Sequence, residues 1–457
     1  MSGTREKGDG RGDAANGSEP RAAAPATGRR ASSRRRFLGE GLAATLAASR
    51  LLAPSLFVGC SLGIPPRETK ALVGLLHSQT GPLAIGSAAL RDVELHAIER
   101  FNAAGGILGH RIESRCPDPR SRTDLFVRRA ENLLDAGAVA LFGCWTRASR
   151  KAVLPLLEER GSLLFYPVQY EGNETSRNVV YGGQVPNQQV LPAIDWLASP
   201  AGGGRKKVFL LGSDYVYPRT TNLIAKHWLA DKGIDVAGEE YHPLDLEDFT
   251  PVVRRIVDSG ADCILNTVNG SGNLALFSAL GAAGVDPVKL PMLSTSISED
   301  DLRSQHRGLA EGHWMLSSYF QTLDSPANRD WMDGFRAEFG RDRVFGDAME
   351  SAWNLIHLWK AAVEKAGSFA TGAVRQAFAD GLSFGGPGGP TRLDPATQHC
   401  TRFFRLGRIR RDRLCDVVLS SEEPIDPDPY PQSVFPGWKC DWTRDGLERG
   451  PEVPIDG

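Results

Sequence analysis

From residue 70 onward apolar and polar positions come in short alternating blocks. Ala71-Leu72-Val73-Gly74-Leu75-Leu76 is an apolar run too short for a helix, closed by the polar stretch His77-Ser78-Gln79-Thr80-Gly81-Pro82. Such a run predicts a strand buried on both faces. Leu90, Val93, Ala97, Ile98 and Phe101 then recur at three- and four-residue spacing. This predicts a helix over 87–103, ended by Gly105-Gly106. The pattern continues with a strand at 111–115, a helix at 123–136 and a fully apolar strand at 138–143. A helix capped by Ser149 and running to Glu159 precedes a strand at 162–166. The order is βαβαβαβ, a parallel sheet covered by helices.

After Pro192 the rhythm restarts. Helices at 192–198, 219–232, 249–259 and 273–284 alternate with strands at 207–212, 234–240, 262–267 and 290–294. Residues 325–385 hold two helices without a sheet of their own and are expected to cross back to the first unit. Strands at 390–394, 401–406 and 413–420 precede a Pro-rich tail, 421–457. The chain therefore reads as an α/β protein with two doubly wound lobes. Lobe 1 is 61–190 with 325–385, and lobe 2 is 191–324 with part of 386–420. Ligands of open α/β sheets bind at the carboxyl ends of strands. The cleft is thus expected to be lined by loops 77–82, 144–149, 166–171, 213–218, 268–272 and 294–299.

Composition changes the picture mainly at the start of the chain. Of 457 residues 41% are apolar and 24% charged, an ordinary globular balance. The net charge of −2 argues against electrostatic binding of nucleic acid. Residues 1–60 carry ten Lys/Arg against five Asp/Glu, which leaves the remaining 397 near −7. Ser33-Arg34-Arg35-Arg36-Phe37-Leu38 resembles a twin-arginine export signal. The weakly apolar stretch 41–59, broken by Arg50 and Pro54, suits a signal segment better than a membrane span. Phe57-Val58-Gly59-Cys60 is close to a lipoprotein cleavage box, although Phe57 stands where Leu is usual. Residues 1–60 are accordingly expected to be an export signal ending at a lipid-attachment site, Cys60. The exported protein would lie in the periplasm or on the outer face of the cytoplasmic membrane, touching the membrane only through that anchor.

Candidate chemistry is sparse. The chain has no GxxxxGK[ST], HExxH or GxSxG motif. Gly270-Ser271-Gly272-Asn273-Leu274-Ala275 fits G-x-G-x-x-A but lacks the acidic partner of a dinucleotide site, and reads as a tight strand-to-helix turn. The seven cysteines (60, 116, 144, 263, 400, 415, 440) form no CxxC or Cys/His cluster. No metal, cofactor or catalytic residue is expected. Cys144 could be offered as a nucleophile, but Gly143 and Trp145 supply no base. By contrast, the cleft loops concentrate Trp145, Thr146, Tyr166, Gln169, Tyr170, Tyr215, Tyr217 and Asn269. Aromatic walls with a few polar groups enclose small polar ligands. Ser149 and the N–H groups after it form a helix start suited to a carbonyl oxygen or carboxylate.

Several longer runs carry a resemblance. They are Phe142-Gly143-Cys144-Trp145-Thr146, Ser149 to Pro155, Leu164 to Gly172, Gly212 to Thr220 and Asn266 to Gly270. They resemble the urea-binding proteins of ABC transporters, which group with amide sensors in the branched-chain amino acid binding-protein superfamily. The likeness spans about 70–445, including Tyr319-Phe320-Gln321-Thr322 and Cys440-Asp441-Trp442. It implies a type I periplasmic-binding-protein fold that closes on its ligand by a hinge, a monomer, and delivery of urea or a short amide to permease subunits. It implies ligand-facing positions at Trp145, Thr146, Arg147, Tyr166, Val168, Gln169, Tyr215, Tyr217, Asn269 and Ser271, with Glu350 on a helix facing the cleft. Two positions depart from the family: Arg147 replaces Ser, and Ser271 replaces Asp. Both move the cleft toward positive charge, which suits a solute with a carboxylate held by Arg147. The bland alternative is that Arg147 points to solvent or pairs with Glu350 or another acid. A sensor partnering a regulator and an amidohydrolase using Cys144 are further alternatives.

Overall fold

A computed structural model describes residues 69–437 apart from 82, 305, 306 and 435. The expected export signal, with Cys60, and the run Cys440-Asp441-Trp442 lie outside these residues.

Strands β1 (Lys70–Leu76), β2 (Arg111–Arg115), β3 (Ala138–Gly143), β4 (Leu164–Tyr166) and β5 (Val179–Tyr181) form a parallel sheet in the order β2-β1-β3-β4-β5. Helices α1 (Ala84–Ala103), α2 (Thr123–Asp135) and α3 (Arg147–Arg160) connect its first four strands. After α4 (Val190–Ala198) a second sheet repeats the plan. Strands β6 (Lys207–Ser213), β7 (Asp235–His242), β8 (Cys263–Thr267), β9 (Met292–Ser294) and β10 (Trp314–Ser317) run in the order β7-β6-β8-β9-β10. Helices α5 (Val216–Asp231), α6 (Thr250–Asp258) and α7 (Gly272–Ala282) lie between them.

The continuous apolar runs have a direct explanation in the second sheet. Successive side chains of a strand point to opposite faces. Val208 and Leu210 enter one core with Ile194, Ala225 and Leu229, whereas Phe209 and Leu211 enter another with Val252, Ile256 and Leu276. Both faces are covered, so every position must be apolar.

Helices α8 (Pro326–Phe339), α9 (Asp347–Ala366) and α10 (Thr371–Ala377) return to the core of the first sheet, through Trp331, Phe335, Ile356, Trp359 and Val374. A hairpin follows, β11 (Ser383–Gly386) with β12 (Gly389–Arg392). Strands β13 (Arg405–Ile409) and β14 (Cys415–Ser420) then extend the second sheet antiparallel. The chain passes between the halves at 182–189, 318–325 and 401–404. This is the type I binding-protein architecture.

The structure adds elements that periodicity missed. β5 and β10 have three and four residues, too short to show alternation. The segment expected to hold two helices holds three, because Gly367 ends α9 in a left-handed conformation and α10 adds only seven residues. Helix α3 begins at Arg147, and its cap is Thr146 instead of the expected Ser149. Among the described residues no helix is long and apolar enough to cross a membrane.

Candidate functional site

In both sheets strand order reverses beside the strand that comes first in the chain, between β1 and β3 and between β6 and β8. A crevice opens outside the carboxyl ends at such a reversal. At the end of β3 the backbone turns sharply. Gly143 has φ 125° and Cys144 has φ 62°, while a Cβ on Gly143 would lie 2.5 Å from the Leu76 carbonyl oxygen. The Cys144 N–H donates to that same oxygen at 3.1 Å. Its thiol is buried, and burial pushes it up to about 12, so it stays protonated at neutral pH.

The turn delivers Trp145 and Thr146. The indole lies over the start of α1, where a Cβ on Gly86 would be 2.5 Å from it. Thr146, extended at φ −99° and ψ 159°, caps α3. Its hydroxyl accepts the Ser149 N–H at 3.2 Å, and the Ser149 hydroxyl accepts the Thr146 N–H at 3.2 Å. This reciprocal capping box satisfies two orphan donors. It also occupies the Ser149 hydroxyl, which was expected to help bind ligand.

From α3 two arginines one turn apart meet two glutamates three residues apart. Arg147 Nη1 donates to Glu171 Oε1 at 2.8 Å, and Arg150 pairs with both oxygens of Glu174 at 2.8 and 3.1 Å. The inner pair is fully buried, and the Arg150 guanidinium sits 4.5 Å from the ring centres of Tyr166 and Tyr170. Burial raises Glu174, yet Arg150 outweighs it and holds the carboxyl at about 2. Tyr181 adds a hydrogen bond to Glu174 Oε1 at 2.9 Å. Arg147 therefore has a partner among the acids, and its charge is matched within the cleft wall. Glu171 Oε2, in a residue with no exposed surface, has no hydrogen-bond partner.

The remaining predicted residues fall into two groups. Tyr166 donates to the Trp145 carbonyl at 2.8 Å, Val168 is buried, and Gln169 is half-buried. In the second half Tyr215 stands at the N-cap position of α5, with no side-chain capping bond, and Tyr217 follows in its first turn. The Tyr217 phenol lies 3.0 Å from the Thr295 hydroxyl and 2.9 Å from that of Ser296. Burial pushes both phenols up; at Tyr217 the hydrogen bonds with Ser296 and Thr295 work against it. Asn269 donates to the Thr267 carbonyl. Ser271 is exposed at the start of α7. Glu350 is engaged elsewhere: it lies 2.7 Å from Arg402 and accepts from Asn354 at 2.7 Å and from the Gly388 N–H at 3.2 Å. Glu171, Arg150 and Glu174 were not singled out from sequence. The signal was the matched spacing, Arg at 147 and 150 against Glu at 171 and 174. Among the described residues no group of His, Cys, Asp and Glu could hold a metal ion.

With this geometry in view the class is defined by comparison. The family model described as periplasmic binding protein domain matches residues 71–435, and the chain belongs to that family. A limonene hydroxylase of Geobacillus stearothermophilus is 31% identical over 120 residues, 26% of this chain and 22% of that protein. The Leu/Ile/Val-binding protein homolog 6 of Brucella melitensis biotype 1 is 25% identical over 211 residues, 46% of this chain and 54% of that protein. The chain thus spans about a fifth and about half of these curated relatives. A solute binding protein of an ABC transporter from Rhodopseudomonas palustris BisB5, solved with 3,4-dihydroxy benzoic acid, superimposes with a TM-score of 0.70 at 21% identity, covering 78% of this chain and 99% of that one. That likeness concerns the fold.

Proposed function

We propose that this chain is the extracytoplasmic solute-binding protein of an ABC importer and that its cleft takes a small neutral amide or ureido compound, urea being the smallest. One observation carries the choice of ligand. The Arg147–Glu171 pair is internally neutral but leaves Glu171 Oε2 without a donor. An unsatisfied buried acceptor costs about 1–3 kcal/mol, which a ligand N–H removes on binding. A guanidinium beside that acceptor offers a donor for the ligand carbonyl. Donor and acceptor side by side match the edge of a carboxamide, and Tyr166, Tyr215 and Trp145 supply the aromatic walls. The expected twin-arginine signal and Cys60 accord with delivery outside the cytoplasm, and permease subunits are the proposed partners.

The second reading is a carboxylate-bearing solute held by Arg147, with Ser271 in place of an acid. It is favoured by the 3,4-dihydroxy benzoic acid in the Rhodopseudomonas palustris protein. The buried Glu171 opposes it, because a second carboxylate would share one guanidinium with the first. A thermal-shift panel on residues 61–457 separates the readings, using urea, formamide, acetamide, ureido acids, amino acids and benzoates. A solute that binds only the folded state raises the melting temperature, by ~2.7 kcal/mol of stability at a hundred times its Kd. A rise with amides and none with benzoates supports the first reading; the reverse pattern overturns it.

A further inference from the structure

The loop between β4 and β5 carries Val168, Gln169 and Glu171 but has no regular structure of its own through residues 167–174. Gly172 and Asn173 are both left-handed, at φ 73° and 56°. Among residues with a side chain Asn takes this conformation most readily, so the turn is open to several arrangements until something selects one. Asn173 is also fully buried, with both side-chain amide atoms unpartnered, so its side chain does not hold it in place.

The restraint comes from the far end of the chain. The Asn173 N–H donates to the Pro429 carbonyl at 2.6 Å. A Cβ on Gly172 would lie 2.7 Å from that same oxygen, so only glycine lets the two backbones meet. Two residues on, the Thr175 hydroxyl lies 3.0 Å from the Tyr430 phenol. The segment 425–430 is itself fastened to two of the passages between the halves. Ile425 and Arg402 exchange backbone hydrogen bonds at 2.8 and 3.1 Å, and the Gln188 amide donates to the Ile425 carbonyl at 2.9 Å. Asn187 donates to the Asp426 carbonyl and accepts the Asp428 N–H, both at 2.9 Å. The tail read from sequence only as Pro-rich thus runs from the third passage, past the first, onto the back of the solute-binding loop.

We propose that residues 425–430 are a strap that positions the 167–174 loop for solute binding, with Pro429 and Tyr430 as its positioning residues. The proposal rests on the reading that this loop contacts the solute. Glu171 is aimed by two holds, Arg147 on one side and the strap at Gly172-Asn173 on the other. Because the strap also grips residues 187–188 and 402, movement at the passages is felt at Glu171.

The test is backbone hydrogen exchange on the whole protein, with a Pro429→Gly/Tyr430→Ala double variant altering the strap and Gly172→Ala pushing it away from the loop side. The expected result is exchange at residues 168–175 at least ~10-fold faster, the order of one lost buried hydrogen bond, with β1 and α3 protected as before. The melting-temperature rise given by acetamide or urea should shrink in both variants. Unchanged loop protection in both variants overturns the strap. So does a looser loop with an undiminished response to solute. If the parent protein responds to no solute, the binding reading falls, and the exchange comparison alone decides whether the strap orders the loop.

Discussion

At residue scale the cleft wall is decided by which charges are already paired. Glu171→Gln removes the proposed acceptor charge and strands Arg147. Affinity for an amide should fall about 10- to 100-fold, the ~1.5–3 kcal/mol of a hydrogen bond to a charged group, read by calorimetric titration. An unchanged Kd would exclude Glu171 from the site. The inner cluster gives a pH signature. His399 stacks on Tyr181 with ring centres 4.2 Å apart, and burial lowers it from 6.5 to about 4. Unfolding lets it take up a proton between those values, so its contribution is complete above pH ~6.5 and lost as pH falls toward 4. Glu174, held at about 2, acts lower: its contribution is complete above ~4.5 and fades toward 2. Burial also lowers His313 and His357 to about 4, and it raises Glu299 to about 8 and Asp301 to about 7, whose contributions grow as pH falls. His399→Gln should therefore remove one share of the loss of melting temperature between pH ~6.5 and about 4, read against the parent protein.

At element scale the same local chemistry explains what was legible and what was not. Strands β1, β3, β6 and β8 could be read because both of their faces are covered and the apolar run is unbroken. β5 could not, since Val179–Tyr181 is three residues and is defined by its neighbour β4. The cap of α3 was misplaced by one turn because Thr146 and Ser149 are both good caps, and only backbone conformation separates them. Thr146→Ala should destabilise by ~1 kcal/mol through loss of the α3 cap; guanidinium melts measure it, urea being unsuitable for a protein proposed to bind it. Trp145, Tyr166 and Tyr215 could be singled out because aromatic residues at strand ends stand out. Glu171 and Glu174 did not stand out, because a glutamate in a loop looks solvated until the arginines 24 residues earlier are folded against it.

At the scale of the whole molecule the halves are joined by charge as well as by chain. Arg402, on the third passage, reaches Asp347 at 3.1 Å and Glu350 at 2.7 Å at the start of α9. Arg405 donates to the Ser318 carbonyl on the second passage and to the Gly388 carbonyl. Glu350, expected from family likeness to face the cleft, is paired here with Arg402 of the third passage. Breaking a buried pair on one side destabilises by ~3–5 kcal/mol. Glu350→Gln should therefore lower the melting temperature by several degrees and leave the selectivity among amides unchanged. A selectivity change at unchanged stability would restore the cleft assignment. The caged Arg150 has a consequence for timing. Its guanidinium, Glu174 and the rings of Tyr166, Tyr170 and Tyr181 all belong to the first half, so if the halves close on a solute as proposed, that wall would be complete beforehand. A solute would land on a finished surface and be enclosed afterwards. Changes on the first half should alter how fast it is captured, and changes at Tyr215 or Tyr217 how long it is kept.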